Sequence, residues 1–146
     1  MKKLLPLLLA ATLPAAAQPM ADFSGRWVWR EVDGHSDKQF RLNLVQQGDT
    51  VSGEWSGSIK IAFEENSRPG PGGKVRGKIR NGRLTLEYCS EESGNSRPGI
   101  YPPCPQYERF LGYAVLQSDG TLMQYQQTGG TRPRTTYRIW QQYTRQ

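Results

Sequence analysis

The clearest order in the chain is an alternation of apolar and polar residues with period two. From Val51 the odd positions read Val51, Gly53, Trp55, Gly57, Ile59, Ile61 and Phe63. The even positions read Ser52, Glu54, Ser56, Ser58, Lys60, Ala62 and Glu64. Successive side chains of a strand point to opposite faces, so this run predicts a strand with one buried face. It is about twice the usual strand length of roughly five or six residues. It reads either as one long strand, coiled at Gly53 and Gly57, or as two shorter strands divided at Ser56-Gly57-Ser58.

The same pattern recurs on both sides. Gly25–Val32 is the first strand, ended by the turn-rich Asp33-Gly34-His35-Ser36-Asp37. Lys38–Gln47 alternates, with Phe40, Leu42 and Leu44 on one face. Residues 64–73 combine prolines and glycines in a way that predicts a loop. Val75, Gly77 and Ile79 resume the alternation. Asn81-Gly82 then signals a type I′ hairpin, from which Leu84, Leu86 and Tyr88 return. Tyr107–Gln117, Thr121–Gln127 and Thr135–Tyr143 complete a set of eight strands, with no amphipathic helix. Eight sequential antiparallel strands leave exposed edges unless the sheet closes. The expected fold is therefore all-β, a single antiparallel up-and-down eight-stranded barrel. A two-sheet sandwich is the alternative.

The first residues follow a different rule. Lys2-Lys3 precede the apolar Leu4–Leu13, and Ala15-Ala16-Ala17 supplies small residues for cleavage. Residues 1–17 thus read as a signal peptide and 18–146 as the barrel domain. The apolar run is too short to span a bilayer, and the expected location is the periplasm or the exterior of a bacterial cell. Without Lys2 and Lys3 the chain carries seventeen basic and thirteen acidic residues, a net +4. This mildly basic balance is spread along the sequence, which argues against a nucleic-acid partner. In an oxidising compartment Cys89 and Cys104 are expected to pair. The disulfide would close a loop of about fifteen residues, worth about 3 kcal/mol.

Gly25-x-Trp27 in the first strand and Arg138 in the last resemble the calycin signature. In lipocalins, avidins, fatty-acid-binding proteins and bacterial metalloprotease inhibitors, a Trp on strand one packs against an Arg or Lys of the final strand. The resemblance implies that Trp27 plugs one barrel end while the Arg138 guanidinium stacks over it. The lipocalins' other short motifs and C-terminal helix are missing, as is the avidins' pattern of Trp and Asn, so no subfamily is implied.

The residues offer little for catalysis. The single His35 lies in a polar turn, and no nucleophile set can be assembled around it. Glu64-Glu65 and Glu91-Glu92 are adjacent and diverge, and Asp33, Asp37 and Asp49 lack Ca²⁺-loop spacing. No catalytic residue, metal site or cofactor is expected. What remains is non-catalytic binding. One reading is a small, partly apolar ligand in the barrel, lined by Trp29, Phe40, Leu42, Trp55, Ile59, Val75, Leu84 and Leu86, against the plainer reading of a filled core. The other is a periplasmic inhibitor, such as one of a hydrolase, or an accessory protein, that binds a protein partner through Ile100 and Tyr101 of the disulfide-braced loop. Oligomeric state is not encoded in any feature of the sequence.

Overall fold

The computed structural model describes residues 21–61, 70–91, 101–130 and 134–146. They form one antiparallel sheet of nine strands: β1 Gly25–Val32, β2 Ser36–Gln47, β3 Thr50–Ile61, β4 Gly72–Arg80, β5 Arg83–Glu91, β6 Glu108–Arg109, β7 Gly112–Leu116, β8 Leu122–Gly129 and β9 Thr136–Arg145. From β1 to β6 each strand pairs with the next, β5 also pairs with β7, β7 with β8 and β8 with β9, and β9 returns to β1. The result is a closed eight-stranded up-and-down barrel with one short extra strand, and no helix occurs among the described residues. Closure satisfies the edges that the meander would otherwise leave unpaired.

The long alternating run is one strand, paired with β2 along its whole length from Gln47↔Thr50 to Ser36↔Ile61. Gly53 makes this possible, because a Cβ there would overlap the Asn43 carbonyl of β2. Phe63 and Glu64 fall outside the described residues. The Asn81-Gly82 turn has positive φ at both residues, 51° and 72°, between the paired Arg80 and Arg83. This is the type I′ geometry expected of it.

Several boundaries differ from the sequence pattern; β2 begins at Ser36, inside the expected turn, and β8 runs on to Gly129. The expected loop at 64–73 ends early, since Gly72 and Gly73 already pair with Glu91 and Ser90. The expected strand Tyr107–Gln117 is broken at Phe110-Leu111, where two adjacent apolar residues cannot share one face. The last strand continues past Tyr143 to Arg145, with a register irregularity between the pairs Gln124↔Gln141 and Tyr125↔Ile139.

Three tight turns lie at one end of the barrel: Gly48-Asp49, Asn81-Gly82 and the bend around Asp119-Gly120. The short turn after Val32 and the longer connections after Ile61, Glu91 and Gly129 lie at the other. These are called the turn end and the loop end below. The core between them is made by inward residues of successive strands, including Leu42, Leu44, Val51, Val75, Leu84, Leu86 and Leu122.

Candidate functional site

The turn end is sealed. Trp27 is fully buried, and its indole N–H donates to the Phe23 carbonyl at 2.9 Å. Phe23, also fully buried, is fixed by its own N–H donating to Gln46 Oε1 at 2.8 Å. The guanidinium stacked over Trp27 is that of Arg145, 4.5 Å from the ring, and it also donates to the Asp22 carbonyl at 2.9 Å. This corrects the expected pairing with Arg138. The ladder places Trp27 opposite Arg145, at the very end of β9. Arg138 lies seven residues earlier, about 23 Å away along an extended strand. There it bonds Gln126 at 3.1 Å and lies 5.8 Å from the Trp140 ring. The expected strand stopped at Tyr143, two residues short of the residue that closes the barrel.

Toward the loop end the interior changes from aliphatic to aromatic. Phe40 of β2 and Trp55 of β3 are stacked, with centroids 5.5 Å apart and planes 11° from parallel. Tyr88 of β5 stands edge-on to both, at 6.3 Å from each. Tyr143 of β9 meets Phe40 at 6.4 Å. These four rings come from four strands, because each is an inward position of an alternating segment. The indole N–H of Trp55 donates to the Cys89 carbonyl at 2.8 Å, which fixes the ring.

The floor of this box is polar. Gln124, only 3% exposed, accepts a hydrogen bond from the Tyr143 hydroxyl at 3.1 Å. The Gln141 side chain lies against the same Tyr143 hydroxyl. Burial pushes the Tyr143 hydroxyl well above the usual phenol range, with Tyr88 and Tyr101 adding in the same direction. Burial also raises Tyr88, helped by Tyr101 and opposed by the Gln124 side chain. Both phenols are therefore neutral at ordinary pH. Gln124 could not be recognised from its segment, where polar residues occupy both faces. An inward glutamine has no periodic signature.

Tyr101, in the connection between β5 and β6, adds a fifth ring to the box. Its ring stacks on Tyr88 at 4.8 Å, with planes 13° from parallel, and meets Trp55 edge-on at 5.3 Å. The disulfide Cys89–Cys104 is formed, and the segment beside it is strapped to β5. Ser90 N–H donates to the Pro102 carbonyl at 2.8 Å, Cys104 N–H to the Ser90 carbonyl at 3.0 Å, and Tyr101 N–H to Ser90 Oγ at 3.3 Å. Tyr101 is thus half-buried, with its ring turned onto Tyr88 and Trp55. Ile100 lies outside the described residues.

The expected cavity lining divides by depth. Phe40 and Trp55 form walls of the box. Trp29 is half-buried against the core near them. Leu42, Val75, Leu84 and Leu86 are no more than 1% exposed and make up packed core, in line with an eight-stranded interior that side chains can fill. Ile59 is 60% exposed and lines nothing, because β3 has risen past the barrel rim at that point. Around that rim Val32, Ile61, Ile139 and Trp140 are also exposed. Two surface concavities, of about 290 Å³ beside Arg26, Arg41 and Glu54 and about 440 Å³ beside Leu116, Asp119 and Arg145, lie on the outside and at the turn end.

His35 sits in an exposed turn, where Asp33 Oδ1 accepts the N–H of His35 at 2.8 Å and of Ser36 at 2.7 Å. Those bonds hold the Asp33 carboxyl below its ordinary range. Among the described residues no cluster of His, Cys, Asp or Glu could hold a metal ion. Glu64, Glu65, Glu92 and the segment 1–17 lie outside the described residues. No family model matches the chain, and no curated protein or solved structure matches it.

Proposed function

We propose that this chain is an exported, calycin-like binding protein whose barrel takes up a small, partly apolar molecule at its loop end. The observation that carries the reading is the aromatic box of Phe40, Trp55, Tyr88 and Tyr143 over the buried amide of Gln124. Small-molecule sites combine apolar, aromatic walls with a few placed polar groups, and the mouth of a β-barrel is a preferred position for them. A satisfied buried polar network also holds its neighbours in one geometry, as a preformed site requires. The seam supports the same reading. β1 and β9 form ladder pairs only at Trp27↔Arg145 and Val28↔Thr144, so the wall beside Trp29 is not laced by strand pairing. Export is supported by the formed disulfide and by the signal-like segment 1–17.

Native mass spectrometry of the protein purified from its own host tests the proposal. The expected result is an additional small organic mass that leaves on denaturation, together with quenching of tryptophan fluorescence when an apolar dye is titrated in. Bare protein in the spectrum and no quenching by dye would end the reading.

A further inference from the structure

We infer that Tyr101 occupies the place of the ligand, and that the box is a site for a small planar phenol which binds by displacing the Tyr101 ring from the face of Tyr88. This deepens the function proposed above and rests on it. The geometry defines a slot for one flat ring. Tyr88 offers a face, 4.8 Å from the occupying ring and nearly parallel to it, and Trp55 closes the slot edge-on at 5.3 Å. Offset-stacked and edge-to-face contacts are the preferred arrangements of aromatic pairs, so this slot favours an aromatic ring over a saturated one.

The occupant is separable from the site. Phe40, Trp55, Tyr88 and Tyr143 belong to β2, β3, β5 and β9, and removing any of them breaches the wall. Tyr101 belongs to the segment beyond β5, tied down through its backbone by Ser90 and at Cys104 by the disulfide. A rotation about its side-chain torsions takes the ring out and leaves the strap and the barrel intact. An incoming ring makes the same contacts on Tyr88 and Trp55 that the leaving ring loses, so exchange is nearly balanced.

The polar groups set the chemical class. The ring that fills the slot is itself a phenol, stacked on the phenol of Tyr88, and the box also holds the Tyr143 hydroxyl bonded to the Gln124 amide. A ligand hydroxyl on the ring reproduces what Tyr101 brings. A bare hydrocarbon ring lacks that hydroxyl, and an alkyl chain has neither the stacking face nor the hydroxyl.

The test uses the full chain as wild type and as Tyr101→Ala, titrated with 4-methylphenol, toluene and decanoate. Removing an internal competitor raises apparent affinity by the inverse of the fraction of time the site is open. The expected result is 4-methylphenol binding at least about tenfold tighter to Tyr101→Ala than to wild type, with toluene weaker than 4-methylphenol on both. Equal affinity for the two proteins, or no binding of 4-methylphenol to either, overturns the inference. Decanoate binding without 4-methylphenol binding overturns it while leaving the proposed function standing, and failure of all three probes removes both. If Tyr101→Ala does not fold, the ring resonances of Tyr101 in wild type carry the test. They should move toward free-tyrosine values on addition of 4-methylphenol, and unchanged resonances reject the displacement.

Discussion

Trp27 and Trp29 are two residues apart on one strand, both at inward positions, yet the barrel treats them differently. Trp27 has its N–H satisfied, its ring covered by Arg145 and no exposure at all. Trp29 is half-buried beside Phe40, in the part of β1 that no longer pairs with β9. The turn end gathers residues from both chain extremes: Phe23 and Asp22 before β1, Arg145 and Gln146 at the end of β9. The loop end gathers aromatic rings under long connections. Local stability and binding capability tend to separate in this way, since a site that must open is built where fewer interactions hold it shut.

The largest expected effect tests that separation directly. Trp27→Ala should cost about 3–5 kcal/mol in urea unfolding, as expected for a large buried ring with no room to collapse. Trp29→Ala should cost about 1 kcal/mol, in the range of ordinary substitutions. Equal losses for the two variants would remove the asymmetry between the ends. The next effect belongs to the loop end. Replacing Cys89 and Cys104 together by Ser should lower stability by about 3 kcal/mol through the unfolded chain. It should also loosen the strap beneath Tyr101, read as increased mobility of the Tyr101 ring by NMR. Loss of stability without change at Tyr101 would assign the disulfide a purely global role.

The contrast between the ends also explains what the sequence conveyed. Strands were legible wherever one face is aliphatic, as along Phe40–Leu44 and Val51–Trp55, because period two survives when every inward residue is apolar. The type I′ turn was legible because only residues that tolerate positive φ fit it. The aromatic box was not. Phe40 and Trp55 could be placed inward, but Tyr88 with Tyr101 is a contact between a strand and a distant loop residue, which no local pattern records. Gln124 was hidden because a buried, satisfied amide looks like a solvated one. Arg145 was missed for a simpler reason: strand ends are the least certain feature of an alternation, and the closing residue lies on one. Reading Gln141, Tyr143 and Arg145 as one face of a longer last strand would have found it.

Alkaline titration gives a third, smaller contrast. The phenols of Tyr88, Tyr101 and Tyr143 are all raised by burial. The fold therefore favours their protonated forms. The stabilisation is whole below the ordinary phenol value of about 10 and is lost as pH climbs through the raised values. Stability should thus hold up to about pH 10 and fall steadily above it. Absorbance at 295 nm should show a late-ionising class that appears together with unfolding. Tyr143→Phe should shrink that class. It should also start from lower stability at neutral pH, by about 1–3 kcal/mol, because Gln124 loses its donor. A late class unaffected by Tyr143→Phe would place it outside the box.

The smallest effect discriminates most sharply between two arginines of the same strand. Arg145→Met keeps a long apolar stem near Trp27 but removes the stacked charge and the bond to the Asp22 carbonyl. Arg138→Met removes a bond to Gln126 and a distant contact with Trp140 on an exposed surface. An exposed cation–π contact is worth about 0.5–1 kcal/mol, and the hydrogen bond adds about 1 kcal/mol. Arg145→Met should therefore cost about 1–2 kcal/mol, and Arg138→Met less than about 0.5 kcal/mol. A double variant of Arg145→Met with Trp27→Phe should show non-additivity, since the two side chains are in contact. The pairing of Arg138→Met with Trp27→Phe should be additive. The reverse ranking would return the closing role to Arg138 and contradict the register that sets Trp27 opposite Arg145.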